Sequence, residues 1–173
     1  MRSILFFVIL LLIFSSACGK LPAEYPADFS LTLDWNTGAL PPKYHYRTTV
    51  TIGPGSQGEF SYHPGYEEES EYIWASSFDL TETQLQALYR YLKENNVMRE
   101  RWKTGQPLIG GQGTSIIINA YGKEYHVPSV SEINQSDRQL IDTTIEVIRS
   151  YVPQEIWNEM DARQAEYDKN YED

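Results

Sequence analysis

Alternation of apolar and polar residues with a period of two constrains the fold of this chain more than any other feature of its sequence. In residues 29–35 every second side chain is apolar: Phe29, Leu31, Leu33 and Trp35. Residues 44–52 alternate in the same way, and strand-forming residues return at 59–63 after a loop at 53–58 that contains glycine and proline. Alternate residues of a strand share one face, so these segments predict strands with one buried face, two of them joined as a hairpin. Residues 71–78 form a fourth candidate strand.

The apolar period changes after residue 80. Thr81 and Gln84 have the spacing of a capping box, and apolar residues then recur at helical spacing: Leu85, Leu88, Tyr89 and Leu92. Ser136 and Gln139 have the same capping spacing and precede a second amphipathic pattern. Pro153 is expected to end this second helix and to open a third one, whose apolar residues are Ile156, Trp157 and Met160.

Between the first and second helices, residues 114–127 predict another hairpin, which turns at Tyr121–Gly122 or at Gly122–Lys123. Strands joined as hairpins pair antiparallel. The sequence therefore predicts an α+β fold: a mainly antiparallel sheet built from hairpins, with two to three helices packed on one face.

The N-terminus carries an unbroken apolar run from Ile4 to Phe14, preceded by Arg2. A helix of this length, at about 1.5 Å per residue, covers only about half of a hydrocarbon core that is ~30 Å thick. The run is therefore too short for a membrane span and predicts a signal peptide over residues 1–17.

Cys18, the single cysteine of the chain, follows the small residues Ser15, Ser16 and Ala17. A secreted chain rarely leaves one thiol unpaired. Residues 1–20, and no others, resemble the lipobox signal of bacterial lipoproteins, in which this cysteine is lipidated on sulfur and becomes the first mature residue. The resemblance implies a membrane anchor on Cys18 and a place on the extracytoplasmic side of the cell membrane or the outer membrane. An ordinary cleaved secretory signal and an uncleaved anchor remain as alternatives.

The remainder of the chain divides by composition. Residues 18–28 contain two prolines and no apolar period, which predicts a lipid-anchored, semi-extended spacer that lifts the domain off the membrane. Residues 29–160 predict a single domain, and residues 161–173 an acidic, frayed tail. No cysteine is left in these regions to form a disulfide.

The formal charge of −10 excludes some partners. Phosphate binding needs clustered Lys and Arg, so nucleic acid is not an expected partner. An acidic surface also disfavours electrostatic adhesion to anionic lipid. Contact with the membrane is therefore expected through the covalent lipid on Cys18.

A glycine-rich loop at 105–112 has part of the spacing of a phosphate-binding loop. Gly111 and Gln112 stand where that loop needs Lys and then Ser or Thr, and the residues that follow predict a strand instead of a helix. The loop is interpreted as a plain connection.

The chain has three histidines: His45, His63 and His126. In the predicted hairpin His63 lies across from Arg47 and diagonal to His45, where Glu67 or Glu69 could complete a metal site. Zinc needs three or four ligands, and Arg47 would repel the ion. No metal site and no cofactor are predicted.

Four carboxylates cluster in one short stretch: Glu67, Glu68, Glu69 and Glu71. Glu69 and Glu71 would share a strand face, which permits a two-carboxylate glycosidase site, but a charged face that prevents edge pairing is the simpler interpretation. Ser115 has no visible His and Asp companions. No catalytic residue is assigned.

Aromatic residues are abundant, with 13 tyrosines and four tryptophans. Five of them on the candidate strands are named as possible binding residues: Tyr44, Tyr46, Tyr62, Tyr66 and Trp74. The sequence favours a non-catalytic module that binds an envelope protein or polymer. The alternatives are a hydrolase acting on cell-envelope material and a surface-retained inhibitor.

Overall fold

The computed structural model describes residues 21–66, 71–105 and 111–171. Cys18 and Glu67 to Glu69 lie outside them. The described residues form six strands and three α-helices: β1 (Ser30–Asn36), β2 (Tyr46–Ile52), β3 (Gln57–Pro64), β4 (Trp74–Asp79), α1 (Glu82–Glu94), β5 (Gly113–Ala120), β6 (Lys123–Val127), α2 (Gln135–Arg149) and α3 (Gln154–Asn170). A 3-10 helix over Pro42–Tyr44 lies between β1 and β2. This order confirms the predicted α+β fold.

All five strand pairings are antiparallel, and the strand order across the sheet is β4-β3-β2-β1-β5-β6. The predicted hairpins are the β2–β3 and β5–β6 pairs. The second one turns at Tyr121–Gly122, where both residues have positive φ, 56° and 68°. Two successive positive φ angles match the right-handed twist of the strands, and Gly122 adopts its angle without steric cost.

Burial alternates along the strands, as the period of two predicts. In β1, Leu31, Leu33 and Trp35 are buried while the residues between them are partly exposed. The buried side chains of all strands join those of the three helices in one core. The buried strand residues therefore lie on one face of the sheet, and the other face carries mainly polar side chains.

Helix capping follows the sequence in one case and differs in another. Thr81 and Gln84 form the complete capping box predicted for α1. The N-cap of α2 is Asn134, whose side chain accepts hydrogen bonds from the backbone of Ser136 and Asp137. The predicted capping box of Ser136 and Gln139 is wrong, because Asn134 already occupies the cap and Ser136 lies inside the helix.

The C-terminal segment also differs from expectation. Helix α3, which begins directly after Pro153, does not end at residue 160 but continues to Asn170. Met160 is buried, and Gln164 and Tyr167, one turn and two turns later, are half-buried on the same side. Contacts of this side with the sheet hold residues 161–170 in the helix, although their composition is acidic.

The pairing register defines two ends of the sheet. The start of β1, the β2–β3 turn at 53–56 and the β5–β6 turn share one end, called the proximal end. The end of β1, the 3-10 helix and the residues after β3 share the other, called the distal end. With seven residues in β1, the two ends are about 20 Å apart.

Residues 21–28 are bound to the domain at the proximal end, which differs from the predicted spacer. The hydroxyl of Tyr89 and the Nζ of Lys93 donate to the carbonyl of Pro22, at 3.0 and 2.8 Å. Asp28 accepts the backbone N–H groups of Tyr121 and Gly122. These partners are far away in sequence, so local composition gave no sign of them.

None of the helices within the described ranges is both long enough and apolar enough to span a membrane.

Candidate functional site

Exposed apolar side chains are concentrated at the distal end. Leu40, Tyr44 and Tyr66 are 44%, 54% and 54% exposed. Together with His45, which stacks on Tyr66, they are called the distal patch. Rigid aromatic rings that stay exposed are a common feature of binding surfaces.

Two prolines shape the turn that carries three members of the patch. Pro41 and Pro42 fix φ and start the 3-10 helix. The backbone N–H groups of Tyr44 and His45 donate to the carbonyl of Pro41, at 2.8 and 3.0 Å. Tyr44 consequently lies in this helix and not in β2, where the alternation had placed it, so its ring points to solvent instead of the core.

His45 and Tyr66 hold each other in place. Their rings are parallel to within 8°, with centroids 3.8 Å apart. The Tyr66 hydroxyl donates to the carbonyl of Leu40 at 2.7 Å, and Nδ1 of His45 lies 2.8 Å from the carbonyl of Gly38. Because a carbonyl only accepts, Nδ1 carries the proton in this contact, and Nε2 is the acceptor nitrogen of the neutral ring.

Helix α3 supports the turn from behind. Gln164 accepts a hydrogen bond from the hydroxyl of Tyr62 at 2.6 Å and donates to the carbonyl of Lys43 at 3.3 Å. The backbone N–H of Gly65 donates to the carbonyl of His45 at 2.7 Å. The distal patch is thus connected to the core through the 3-10 helix and the end of β3.

Close packing at Gly65 extends the aromatic surface toward α3. A Cβ on this residue would lie 2.6 Å from the Tyr167 hydroxyl oxygen, and its φ of 66° favours glycine. Tyr167 packs against Tyr72 and Tyr171, with centroids 5.4 and 5.8 Å away. Tyr171 is 49% exposed, so tyrosine rings continue from the distal patch to the end of α3.

The five aromatic residues named from the sequence separate into two groups. Tyr44 and Tyr66 belong to the distal patch. Tyr62 is fully buried, Tyr46 is half-buried against Trp35 and Tyr62, and Trp74 packs on Phe60. Burial raises the pKa of both Tyr46 and Tyr62. These last three rings contribute to the core, and the first two are exposed.

Behind the distal end, Arg149 packs between two tryptophans. Its guanidinium carbon lies 4.1 Å from the Trp157 ring centroid and 5.4 Å from that of Trp35. Burial lowers the pKa of Arg149, while Tyr46 and Asp161 act in the opposite direction. The delocalised guanidinium accepts this position because it is weakly hydrated and stacks on aromatic faces. This contact stiffens the join between α2, α3 and β1.

On the polar face of the sheet, Asp34 of β1 contacts two residues of β2. Asp34 accepts a hydrogen bond from Thr49 at 3.1 Å and lies 3.9 Å from Nε of Arg47. His63 is directly across from Arg47, as the hairpin predicted. Ser115 faces Asp34 across the β1–β5 pair.

Candidate catalytic and metal groups do not assemble among the described residues. His126 pairs with Glu124 on the exposed edge strand, at 2.6 Å, and no histidine bonds Ser115 in the part of the chain that is described. No group of three or more possible metal ligands occurs there either. Of the acidic cluster, only Glu71 is described, and it is exposed.

The glycine loop leads into β5, which begins at Gly113. The expectation of a strand after the loop is therefore confirmed. The helix N-terminus that a phosphate loop requires does not follow.

The sequence missed two parts of this surface. Leu40 and the stacking role of His45 could not be read from alternation, because both lie in a turn. The Pro41–Pro42 pair was the available sign, since consecutive prolines interrupt a strand and leave nearby side chains outside its alternation.

Compared with known proteins, the chain matches no protein-family model and no curated sequence.

Proposed function

We propose that this chain is a lipoprotein anchored through Cys18 on the extracytoplasmic side of the cell membrane or the outer membrane, and that its domain is a non-catalytic binding module for an envelope protein or polymer. The observation that supports the binding role is the distal patch, a group of exposed side chains around the fixed ring of Tyr66. The lipobox-like signal carries the anchor.

The rigidity of the distal patch supports binding. Tyr66 is fixed by its stack on His45 and by its hydroxyl contact with Leu40. A ring that is already ordered loses little conformational freedom when a partner covers it, so more of the contact energy remains as affinity. A patch of this kind binds at lower cost than a flexible loop does.

The chemistry of the patch suits a partner with both apolar and polar groups. Tyrosine rings offer flat faces for sugar rings or peptide side chains, and their hydroxyl groups offer hydrogen bonds. The imidazole of His45 adds a further polar group. The chain as a whole is acidic, with a formal charge of −10, which disfavours strongly anionic polymers as partners.

The test is affinity capture of the intact protein from cross-linked native envelopes, with a Tyr44→Ala/Tyr66→Ala variant beside it. The matched control is His126→Ala, which removes an exposed ring from the edge strand far from the patch. We expect a partner near one-to-one with the wild-type protein and with the control, and its loss with the double variant.

Cys18→Ser separates anchoring from binding in the same experiment, because it leaves the patch intact and releases the domain from the membrane. Equal recovery of the partner by the wild type and the double variant would contradict the role of the patch. Binding of a purified envelope polysaccharide, followed by calorimetry with the same variants, distinguishes a polymer from a protein partner.

A further inference from the structure

We infer that the bound segment Leu21–Asp28 orients the domain on the membrane, with the proximal end against the bilayer that carries the anchor and the distal patch directed away from it. The inference rests on the proposed lipid at Cys18. It adds to the proposed function that the proximal end faces the bilayer and that the distal patch is directed away from it.

The first step is that few residues lie between Cys18 and the bound segment. Gly19 and Lys20 separate Cys18 from Leu21, which is the first described residue and packs against the core. Three peptide steps span at most about 11 Å even when fully extended. A lipid on Cys18 therefore keeps Leu21 within that distance of the bilayer surface.

The second step is the attachment of the segment along α1. Lys93 and Tyr89 bind the carbonyl of Pro22. One turn closer to the start of α1, Gln86 donates to the carbonyl of Ala23 at 2.9 Å and accepts the backbone N–H of Tyr25 at 3.2 Å. These bonds, spread over two helical turns, prevent the segment from acting as a hinge.

The third step is attachment to the β5–β6 turn. The Tyr121 hydroxyl donates to the carbonyl of Glu24 at 2.5 Å. Asp28 accepts the backbone N–H of Tyr121 at 3.0 Å and that of Gly122, and these bonds lower the pKa of Asp28, the Gly122 bond most. The segment is thus held by a helix on one side and by a hairpin turn on the other.

The surface around the exit of the segment is consistent with a bilayer interface. Leu21 lines an open groove of about 920 Å³ together with Met98, Tyr121 and Tyr125. The charged residues of the groove balance in sign: Lys93 and Lys123 against Glu94 and Glu100. Tyr121 is 44% exposed, and an exposed tyrosine suits the boundary between lipid and water. The balanced charge means that the covalent lipid, not attraction to anionic headgroups, holds this end at the membrane.

The distal patch lies at the opposite end of strands that are about 20 Å long, so it is held at a nearly fixed height above the bilayer. The partner of the patch is therefore a component that extends away from the membrane surface, and not the lipid itself.

The test uses the lipidated full-length protein in vesicles of phosphatidylethanolamine and phosphatidylglycerol that contain a lipid with a nitroxide headgroup. A fluorophore is attached at a second cysteine, either Glu94→Cys at the proximal end or Ala39→Cys at the distal end, both exposed. We expect the label at 94 to be quenched severalfold more strongly than the label at 39, at low and at high salt.

A flexible Gly/Ser insert between Lys20 and Leu21 is the matched control, because it lengthens the tether and leaves the domain unchanged. It should bring the two labels to similar quenching. Equal quenching in the lipidated protein without the insert, or stronger quenching at 39, overturns this inference alone. Mass analysis showing Cys18 without lipid overturns the proposed anchor as well, so the two failures are distinguishable.

Discussion

The phenol ring of Tyr66 lies flat on the imidazole of His45, with the ring centroids 3.8 Å apart. Tyr66 is nonetheless 54% exposed. One face of the ring is fixed by the stack and much of its remaining surface meets solvent, which is the arrangement expected of a ring kept for a partner.

Tyr66→Ala should therefore affect stability far less than a core replacement. We expect a loss of about 1 kcal/mol or less in the free energy of unfolding, because the ring is exposed. Tyr62→Ala, which removes a fully buried ring, should cost about 3–5 kcal/mol. Urea denaturation of the two variants measures both values. Equal losses would mean that Tyr66 belongs to the core and not to a binding surface.

Tyr89 should make stability fall at alkaline pH. Burial raises the pKa of Tyr89 to about 12, so above pH 10 the unfolded chain loses this proton while the folded chain keeps it. Its contribution is complete below pH 10 and is lost as the pH rises toward 12. Tyr89→Phe should be less stable by about 1 kcal/mol at pH 8, since it loses the bond to Pro22. In denaturation series at increasing pH, the free energies of unfolding of wild type and variant should converge above pH 10. A difference in free energy that stays constant with pH would contradict the burial of this hydroxyl.

Asp28 should make stability fall at acidic pH. The N–H groups of Gly122 and Tyr121 hold the pKa of Asp28 below its ordinary value of 3.8. Its stabilising effect is therefore present above that value and is lost as the pH falls below it. Asp28→Ala should increase hydrogen exchange at the amides of Tyr121 and Gly122 at pH 6. Unchanged exchange at these amides would show that the segment is not attached there.

Arg149 should not be replaceable by lysine. Its guanidinium packs on Trp157 and Trp35, and a compact ammonium group is more strongly hydrated and cannot stack in this way. Arg149→Lys and Arg149→Ala should each destabilise the fold by about 1–2 kcal/mol and alter tryptophan fluorescence. Arg90→Ala, an exposed change on α1, is the control and should do neither. If Arg149→Lys kept the stability and the tryptophan fluorescence of the wild type, the contribution of Arg149 would come from its charge alone.

The elements of the fold were predictable because their determinants are local. The alternation of apolar and polar residues predicted β1 and β3, and the spacing of Thr81 and Gln84 predicted the start of α1. Strand order was not predictable, since the pairing of Leu33 with Ile116 joins segments far apart in the chain. No local pattern selects one such pairing over another.

The candidate surface was predictable only in part. Tyr62 is in phase with Phe60 along β3, so alternation could assign it to the core, whereas Tyr66 lies beyond the end of the strand. The exposure of Tyr44 depends on a proline turn, and the binding of residues 21–28 depends on side chains of α1 and of the β5–β6 turn. These are tertiary contacts, which composition and periodicity do not encode.

The anchor on Cys18 is the claim on which localisation and orientation both depend. The most direct measurement is mass spectrometry of the N-terminal peptide of the mature protein, with fatty-acid labelling of wild type and Cys18→Ser in parallel. We expect Cys18 to be the first residue and to carry lipid, and we expect the variant to take up no label and to leave the membrane fraction. A mature protein that begins at or near Cys18 with an unmodified thiol, or one that keeps residues 1–17, would contradict the lipid anchor on Cys18.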